Sequence, residues 1–340
     1  MHKLIRIIED LQLNLQDKVV ITEAATGPYA ATVAAAAYAG AEVHAFVRDS
    51  KYGSVEDVKT QVLNLCQLLN SKKDINFYDS KDKLPWEYAD VITNSGSLRP
   101  ILDEYLSRCK STCVLTLMFE AWEYREQDFR LHTCKNQGIQ VGGVNERHPS
   151  VDVFGYLGDM VIRLIQDAGV TPYRNNFLVV GNNDFVPYML KPLVHAAQRV
   201  GVFALAKYQQ EITELGAEYL GEFDAFRVSK EWESTEAVIY TGSPFTQSRW
   251  SEADSLSVTE LQKLTHPLVL RFAGDIDELE FQKKQIAFYP SIVASGHMGI
   301  IPSQIGWDPI LRLQTGGLKV AELMHKNESH YQGIELVQYL

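Results

Sequence analysis

The sequence predicts an α/β fold built from two doubly wound parallel sheets, each Rossmann-like, with a cleft between the domains. Short apolar runs recur along the chain, as strands buried on both faces require. Stretches with helical spacing separate them, the alternation that builds parallel sheets. A length of 340 residues exceeds one domain of ordinary size.

The elements follow in order. The start, MHKLIRIIEDLQLN, lacks a long apolar core with a cleavage site and is read as a short helix of the mature protein. KVVITE (18–23) is a buried strand, AATGPYA a turn, TVAAAAYAG a helix closed by Gly40, and EVHAFVRDS a second strand. Together they make a βαβ unit. Val55, Val58, Val62, Leu65 and Leu69 mark a helix. INFYD, ADVITNSG, CVLTLM and GIQVGGV are further strands. A long helix is expected over VDVFGYLGDMVIRLIQDAG, with Ser150 as N-cap and Gly169 as terminator. TPYRNN is a linker. NFLVVG is a strand, NNDFVPYM a turn, and LKPLVHAAQRVG a helix with Pro192 at a kink or early turn. VFALAKY, EAVIYTG, PLVLRFAG and AFYPSIVAS complete a second, smaller sheet. DPILRLQTGGLKVAELMHK is a final helix around a glycine pair. The expected domains are 1–150, the substrate side, and 151–306, the nucleotide side. Residues 307–340 form a C-terminal helix packing back.

Composition excludes several classes. With 46% hydrophobic and 22% charged residues, the chain is neither disordered nor collagen-like. No window of eighteen consecutive apolar residues occurs, so a membrane span is not expected. A net charge of -11 argues against nucleic-acid binding. Cys66, Cys109, Cys113 and Cys134 contain no CxxC and read as reduced thiols of a cytoplasmic protein. No HExxH or similar spacing supports a metal, and no GxSxG supports a serine hydrolase.

Ligands of open parallel sheets bind beyond the carboxyl ends of strands. Those positions therefore supply the candidates. On the first domain they include Thr26, Tyr29, Asn94, Ser95, Gly96 and Met118 as substrate contacts. Arg48, Ser50 and Lys51 end the second strand, where an Arg can meet a ribose 2′-phosphate. On the second domain, Gly181, Asn182, Asn183, Asp184, Lys207, Thr241, Gly242 and Ser243 are candidate cofactor contacts. Neither first turn carries a full GxGxxG, whose glycines let backbone approach a pyrophosphate. Lys207 stands where an acidic residue would select NAD, so NADP is favoured over NAD. NERHP (145–149) offers His148 as acid or base and Arg147 as an anion clamp, against a structural reading as helix cap and salt bridge. FEAWEYRE (119–126) places Glu120, a candidate catalytic carboxylate, and Glu123 near the same cleft, against a reading as a solvated helix start. SGHMG exposes His297 between glycines after a strand. His44 and His195 read as structural.

From about Ala89 to Lys319 the layout resembles the D-2-hydroxyacid dehydrogenases, formate dehydrogenases and S-adenosylhomocysteine hydrolases. ADVITNSG resembles that group's last substrate-domain strands. GIQVGGVNERHPSVDVFGYLGDMVIRLI is similar to its strand leading into the connecting helix. NNFLVVGNNDFVPYML falls at its nucleotide turn, and PLVLRFAGDIDELEF at its N-x-x-R-G strand. AFYPSIVASGHMG falls at its catalytic histidine, matched here by His297. The glycine fingerprint has become Gly181-Asn182-Asn183-Asp184-Phe185-Val186. The motif arginine aligns with Ala273, while Arg271 lies two residues earlier. No counterpart of the catalytic glutamate is found. The resemblance implies an NAD(P)-dependent oxidoreductase acting on a small carboxylate-bearing substrate, and a homodimer. His297 would then transfer the proton and Arg271 or Arg147 would hold the carboxylate. The lost motif residues keep two rivals open. One is a non-redox transferase, lyase or hydrolase on a nucleotide-like substrate; the other is a catalytically silent ligand-binding relative.

Overall fold

The computed structural model describes residues 2–71, 73–250 and 256–340. The chain divides into two compact units, Met1–Val153 with Gly306–Leu340, and Phe154–Ile305.

In the first unit the strands are β1 (Val19–Glu23), β2 (Glu42–Phe46), β3 (Ile75–Tyr78), β4 (Val91–Thr93), β5 (Val114–Thr116) and β6 (Gln140–Val144). They are parallel, in the spatial order β6-β5-β4-β1-β2-β3. That is the Rossmann order, with its switch point between β1 and β4. Alternation along each strand feeds two cores. Val20, Val43, Val91 and Val114 face one layer, and Ile21, Ile92, Leu115 and Val141 face the other. This two-sided burial is why the strands read as apolar runs.

In the second unit the strands are β7 (Asn176–Gly181), β8 (Arg199–Ala204), β9 (Glu218–Gly221), β10 (Ala237–Thr241), β11 (Leu268–Ala273) and β12 (Ala287–Tyr289). Their order, β12-β11-β10-β7-β8-β9, repeats the same topology with a switch point between β7 and β10. Phe177, Val179 and Ile239 fill one face, and Leu178, Val180 and Val238 the other.

The chain then returns to the first unit through the helix Asp308–His325 and the strands β13 (His330–Tyr331), β14 (Ile334–Glu335) and β15 (Val337–Tyr339). β15 pairs antiparallel with β6. The glycine pair explains how the helix seats. A Cβ on Gly316 would lie 2.8 Å from Val151 Cγ2, and one on Gly317 2.5 Å from Met118 Sδ. The alanine-rich helix Ala31–Tyr38 is buried through Ala37, and its Thr32 hydroxyl donates to Gln314 Oε1 at 2.7 Å.

Several expected elements shift. The long helix occupies only Leu157–Asp167, after a 3-10 turn at Phe154–Tyr156. Asp152 takes a left-handed φ of 47°, which breaks the run, so Ser150 does not cap it. The turn NNDFVPYM is mostly helix, because Phe185–Ala196 starts directly after Asp184. Pro187 falls in its first turn, where a missing N–H costs nothing. β12 ends at Tyr289, well short of the run AFYPSIVAS. β9 and the hairpin at the C-terminal end carried no apolar run of their own, being short and partly exposed.

Candidate functional site

Both switch points carry polar groups, of different kinds. In the first unit, Glu23 ends β1. Its Oε1 accepts from Ser97 N at 2.8 Å and Ser97 Oγ at 2.6 Å. Gly96, at φ 37°, has no room for a Cβ because Glu23 Oε2 fills that space. A carboxylate therefore sits in the crevice where a pyrophosphate would need positive or neutral donors. Thr22, Thr93 and Ser95 form a hydroxyl chain behind it, at 2.7 and 2.8 Å. Asn94 is buried and donates to Asp128 Oδ2 at 3.2 Å, while its Oδ1 has no partner. Thr26 is half-buried and Tyr29 is 40% exposed in the turn after β1.

In the second unit the crevice is lined by neutral amides and hydroxyls, with the Asp184 carboxylate at the helix start. Asn182 spans it: its Nδ2 donates to Ser243 O at 2.7 Å, and its Oδ1 accepts from Ser243 N at 2.6 Å. Asn183 and Thr241 exchange hydrogen bonds at 3.0 and 3.2 Å. Asn183 Oδ1 also accepts from Phe185 N at 3.2 Å. Gly181 is sterically required. A Cβ there would lie 2.5 Å from both Thr241 Cγ2 and Val186 Cγ2. Gly242 likewise leaves no space for a Cβ beside the Tyr240 hydroxyl. Asp184 stands at the N-cap of Phe185–Ala196, and its side chain makes no capping bond. Thus the six predicted contacts Gly181, Asn182, Asn183, Thr241, Gly242 and Ser243 do meet, around the amino end of a twelve-residue helix. Lys207 lies exposed at the tip beyond β8, stacked on Tyr208 at 4.7 Å. Glu222, which the sequence reading missed, reaches the same tip from beyond β9 and accepts from Ala206 N at 3.2 Å. Only the pairing of β8 with β9 brings it there.

His297 sits on a clamped loop of the same unit. Its Nδ1 lies 3.0 Å from Ser295 O, which can only accept, so Nδ1 carries the proton. Nε2 has no hydrogen-bond partner among the described residues, and the ring is exposed. Asp275 holds the loop by accepting from Ser295 Oγ at 2.5 Å and Gly296 N at 3.2 Å. Asp275 N in turn donates to Phe245 O at 2.8 Å, and Gly296 packs over Thr246. The histidine loop therefore rests on the segment that follows Ser243. Arg271 is 2% exposed, pairs with Glu278 at 2.6 Å and lies 3.9 Å from Asp275. Its Nε is buried without a partner. Of the nitrogens expected to clamp a carboxylate directly, Nη1 is thus taken by Glu278 and Nη2 lies beside Asp275, which holds the loop.

Three expectations in the first unit are corrected. His148 is buried, with Nε2 2.9 Å from Tyr331 O and Nδ1 accepting from Ser150 N at 3.1 Å. Both nitrogens are spent on the backbone, leaving none for proton transfer. Glu120 is fully buried, pairs with Arg147 Nη1 at 2.6 Å and accepts from Trp122 Nε1. Together Glu120 and Arg147 tie the end of β5 to the end of β6, the structural reading of the NERHP segment. Met118 is 3% exposed and packs on Gly317, so it is core and not a substrate contact.

Beside this pair, burial and the Glu120 charge push the Glu123 carboxyl up to about 7. Burial, then Glu123 and Glu120, push Glu146 well above its ordinary range. A carboxyl that holds its proton more tightly folded than unfolded loses that advantage as pH rises. Stability should therefore fall between about pH 4.5 and 7 on account of Glu123. E123Q should flatten this decline and raise the melting temperature at pH 8. Thermal unfolding across that range checks it; an unchanged slope in E123Q would remove Glu123 from the account.

Both sheets have the Rossmann strand order, and the comparisons agree on a two-sheet α/β architecture. No family model matches this sequence, and no curated protein matches it. Solved structures do match. A dipicolinate synthase subunit from Bacillus halodurans is 14% identical, with a TM-score of 0.59 over 94% of this chain and 100% of that chain. The NAD-dependent formate dehydrogenase from Staphylococcus aureus, solved in complex with NAD, is 12% identical, with a TM-score of 0.53 over 94% and 98%. A D-lactate dehydrogenase from Treponema pallidum is 11% identical, with a TM-score of 0.52 over 94% and 100%. These are likenesses of fold. Among the described residues, no helix is long and apolar enough to cross a membrane.

Proposed function

We propose that this chain is a nicotinamide-dependent oxidoreductase acting on a small carboxylate-bearing substrate, with its nucleotide at the β7/β10 switch point. The observation that carries this reading is His297, whose unpartnered Nε2 is presented by a loop anchored on the β10 segment. The helix start fits an anion through its backbone N–H groups, beside the engaged amides of Asn182 and Asn183 and the Asp184 carboxylate at the N-cap. In the β1/β4 crevice the Glu23 carboxylate is held at the strand ends by Ser97. A nicotinamide would supply hydride transfer. His297 Nε2 would give or take the accompanying proton, which carbonyl reduction requires as charge develops on oxygen. Arg271, through Asp275, keeps that imidazole in place.

NADP is placed ahead of NAD on Lys207, with Glu222 as the opposing charge. K207A should weaken NADPH about tenfold with little effect on NADH, and E222Q should shift the ratio the other way. Equal effects on both cofactors would refute this assignment. Calorimetry of the full chain with NAD(H) and NADP(H) tests the wider proposal; no heat with any of them would reject it. The side chain of Asn183 in place of a glycine favours one rival, a site for a nucleotide-like ligand without redox chemistry. Binding of an adenosyl or nucleotide-sugar ligand in place of nicotinamides would support that rival. The proposed localisation is cytoplasmic and the proposed assembly a homodimer, which sedimentation would test.

A further inference from the structure

The first unit gathers three cations at one edge, although the chain as a whole carries a net charge of -11. Arg48 lies just past β2, Lys81 just past β3, and Arg99 in the loop after β4. Phe46 and Tyr78, the last residues of β2 and β3, are paired in register, so Arg48 and Lys81 leave the sheet side by side. Lys81 Nζ donates to Arg99 O and Pro100 O, each at 3.1 Å. Both acceptors are neutral, and the ammonium also lies 5.5 Å from the centroid of the Phe46 ring. Lys81 and Arg48 have no carboxylate partner among the described residues. Burial first, and the Arg48 charge second, pull the Lys81 pKa down, with Glu23 opposing.

The negative groups nearby have other hydrogen-bond partners, although Glu23 keeps its charge and partly offsets that of Lys81. Glu23 is held by Ser97, and Asp49 accepts from Val55 N at 2.7 Å. Asp128 is shared between Asn94 and Arg99, the latter at 3.4 Å. Holding a half-buried ammonium beside a guanidinium without a direct counter-charge is unfavourable unless an anion joins them. We propose that Arg48, Lys81 and Arg99 form a binding site for the oxyanion of a small ligand, a carboxylate or a phosphate group, at the carboxyl edge of the first sheet. The site lies within the first unit, and it stands whether or not a nicotinamide binds the second unit.

The test is calorimetric titration of the full chain with inorganic phosphate and with succinate, at low ionic strength and without cofactor. At least one of the two should bind, and more weakly as salt is added. R48Q and K81Q should each weaken binding about tenfold, and K81R should restore most of the loss. Arg48 is exposed, so R48Q reads the site even if K81Q, which loses two backbone contacts, melts early. Tighter succinate assigns the site to a carboxylate ligand, and tighter phosphate to a phosphorylated one. Absence of binding by both anions, or binding indifferent to both R48Q and K81Q, overturns the proposal. Because the titration contains no nicotinamide, failure of the oxidoreductase reading would leave its result standing.

Discussion

Replacing His297 with glutamine should lower turnover roughly a hundred- to ten-thousand-fold, the range for removing a positioned acid or base. The imidazole is exposed, and its one hydrogen bond goes to the carbonyl of Ser295 two residues away. Stability should therefore change by no more than about 0.5 kcal/mol, as for other surface positions. Nicotinamide affinity should hold, since the ring does not touch Asn182, Asn183 or Thr241 in their hydrogen-bonded arrangement. The combination is the informative part. Lost turnover with intact binding and melting places His297 at the proton. Full turnover in H297Q would remove it from the chemistry.

Gly299→Ala should be the most damaging single methyl in the second unit. A Cβ there would collide with the backbone carbonyl oxygen of Arg271, a fixed atom of β11. Gly299 N also donates to Phe272 O at 2.9 Å, and Met298 bridges Ala273, so the loop has no slack on that side. The strand is buried and cannot yield, so the loop must lift. A loss of about 3 kcal/mol is expected, in the range of overpacked cores. Denaturant unfolding measures it. Because the displaced loop carries His297, turnover should fall further than stability alone explains. A variant with wild-type stability and turnover would show that the loop is not fixed as described.

The α/β architecture was legible because strands buried on both faces leave continuous apolar runs, as in Asn176–Gly181. β9, with its exposed Glu218, and the short β15 leave no such run, so they were missed. The exposure of the His297 ring was legible from its flanking glycines, because Gly296 adopts φ 73° and Gly299 abuts a backbone atom. What sequence cannot show is how a polar group is spent. Arg147 and Glu120 were read separately and neutralise each other. His148 offered two nitrogens, and the fold uses both. Glu23 stands at a strand end in the sequence, and only the contact with Ser97 places its carboxylate in the first crevice. Asp275 and Glu222 owe their roles to loops and strands brought together only by the sheet.

The most direct test of the central claim is amide hydrogen exchange of the full chain with saturating NAD(P)H. The account predicts added protection at Gly181–Phe185 and Thr241–Phe245, around the amino end of the helix Phe185–Ala196. No change in protection, or protection confined to Ala24–Gly27 and Asn94–Arg99 in the first unit, would contradict it.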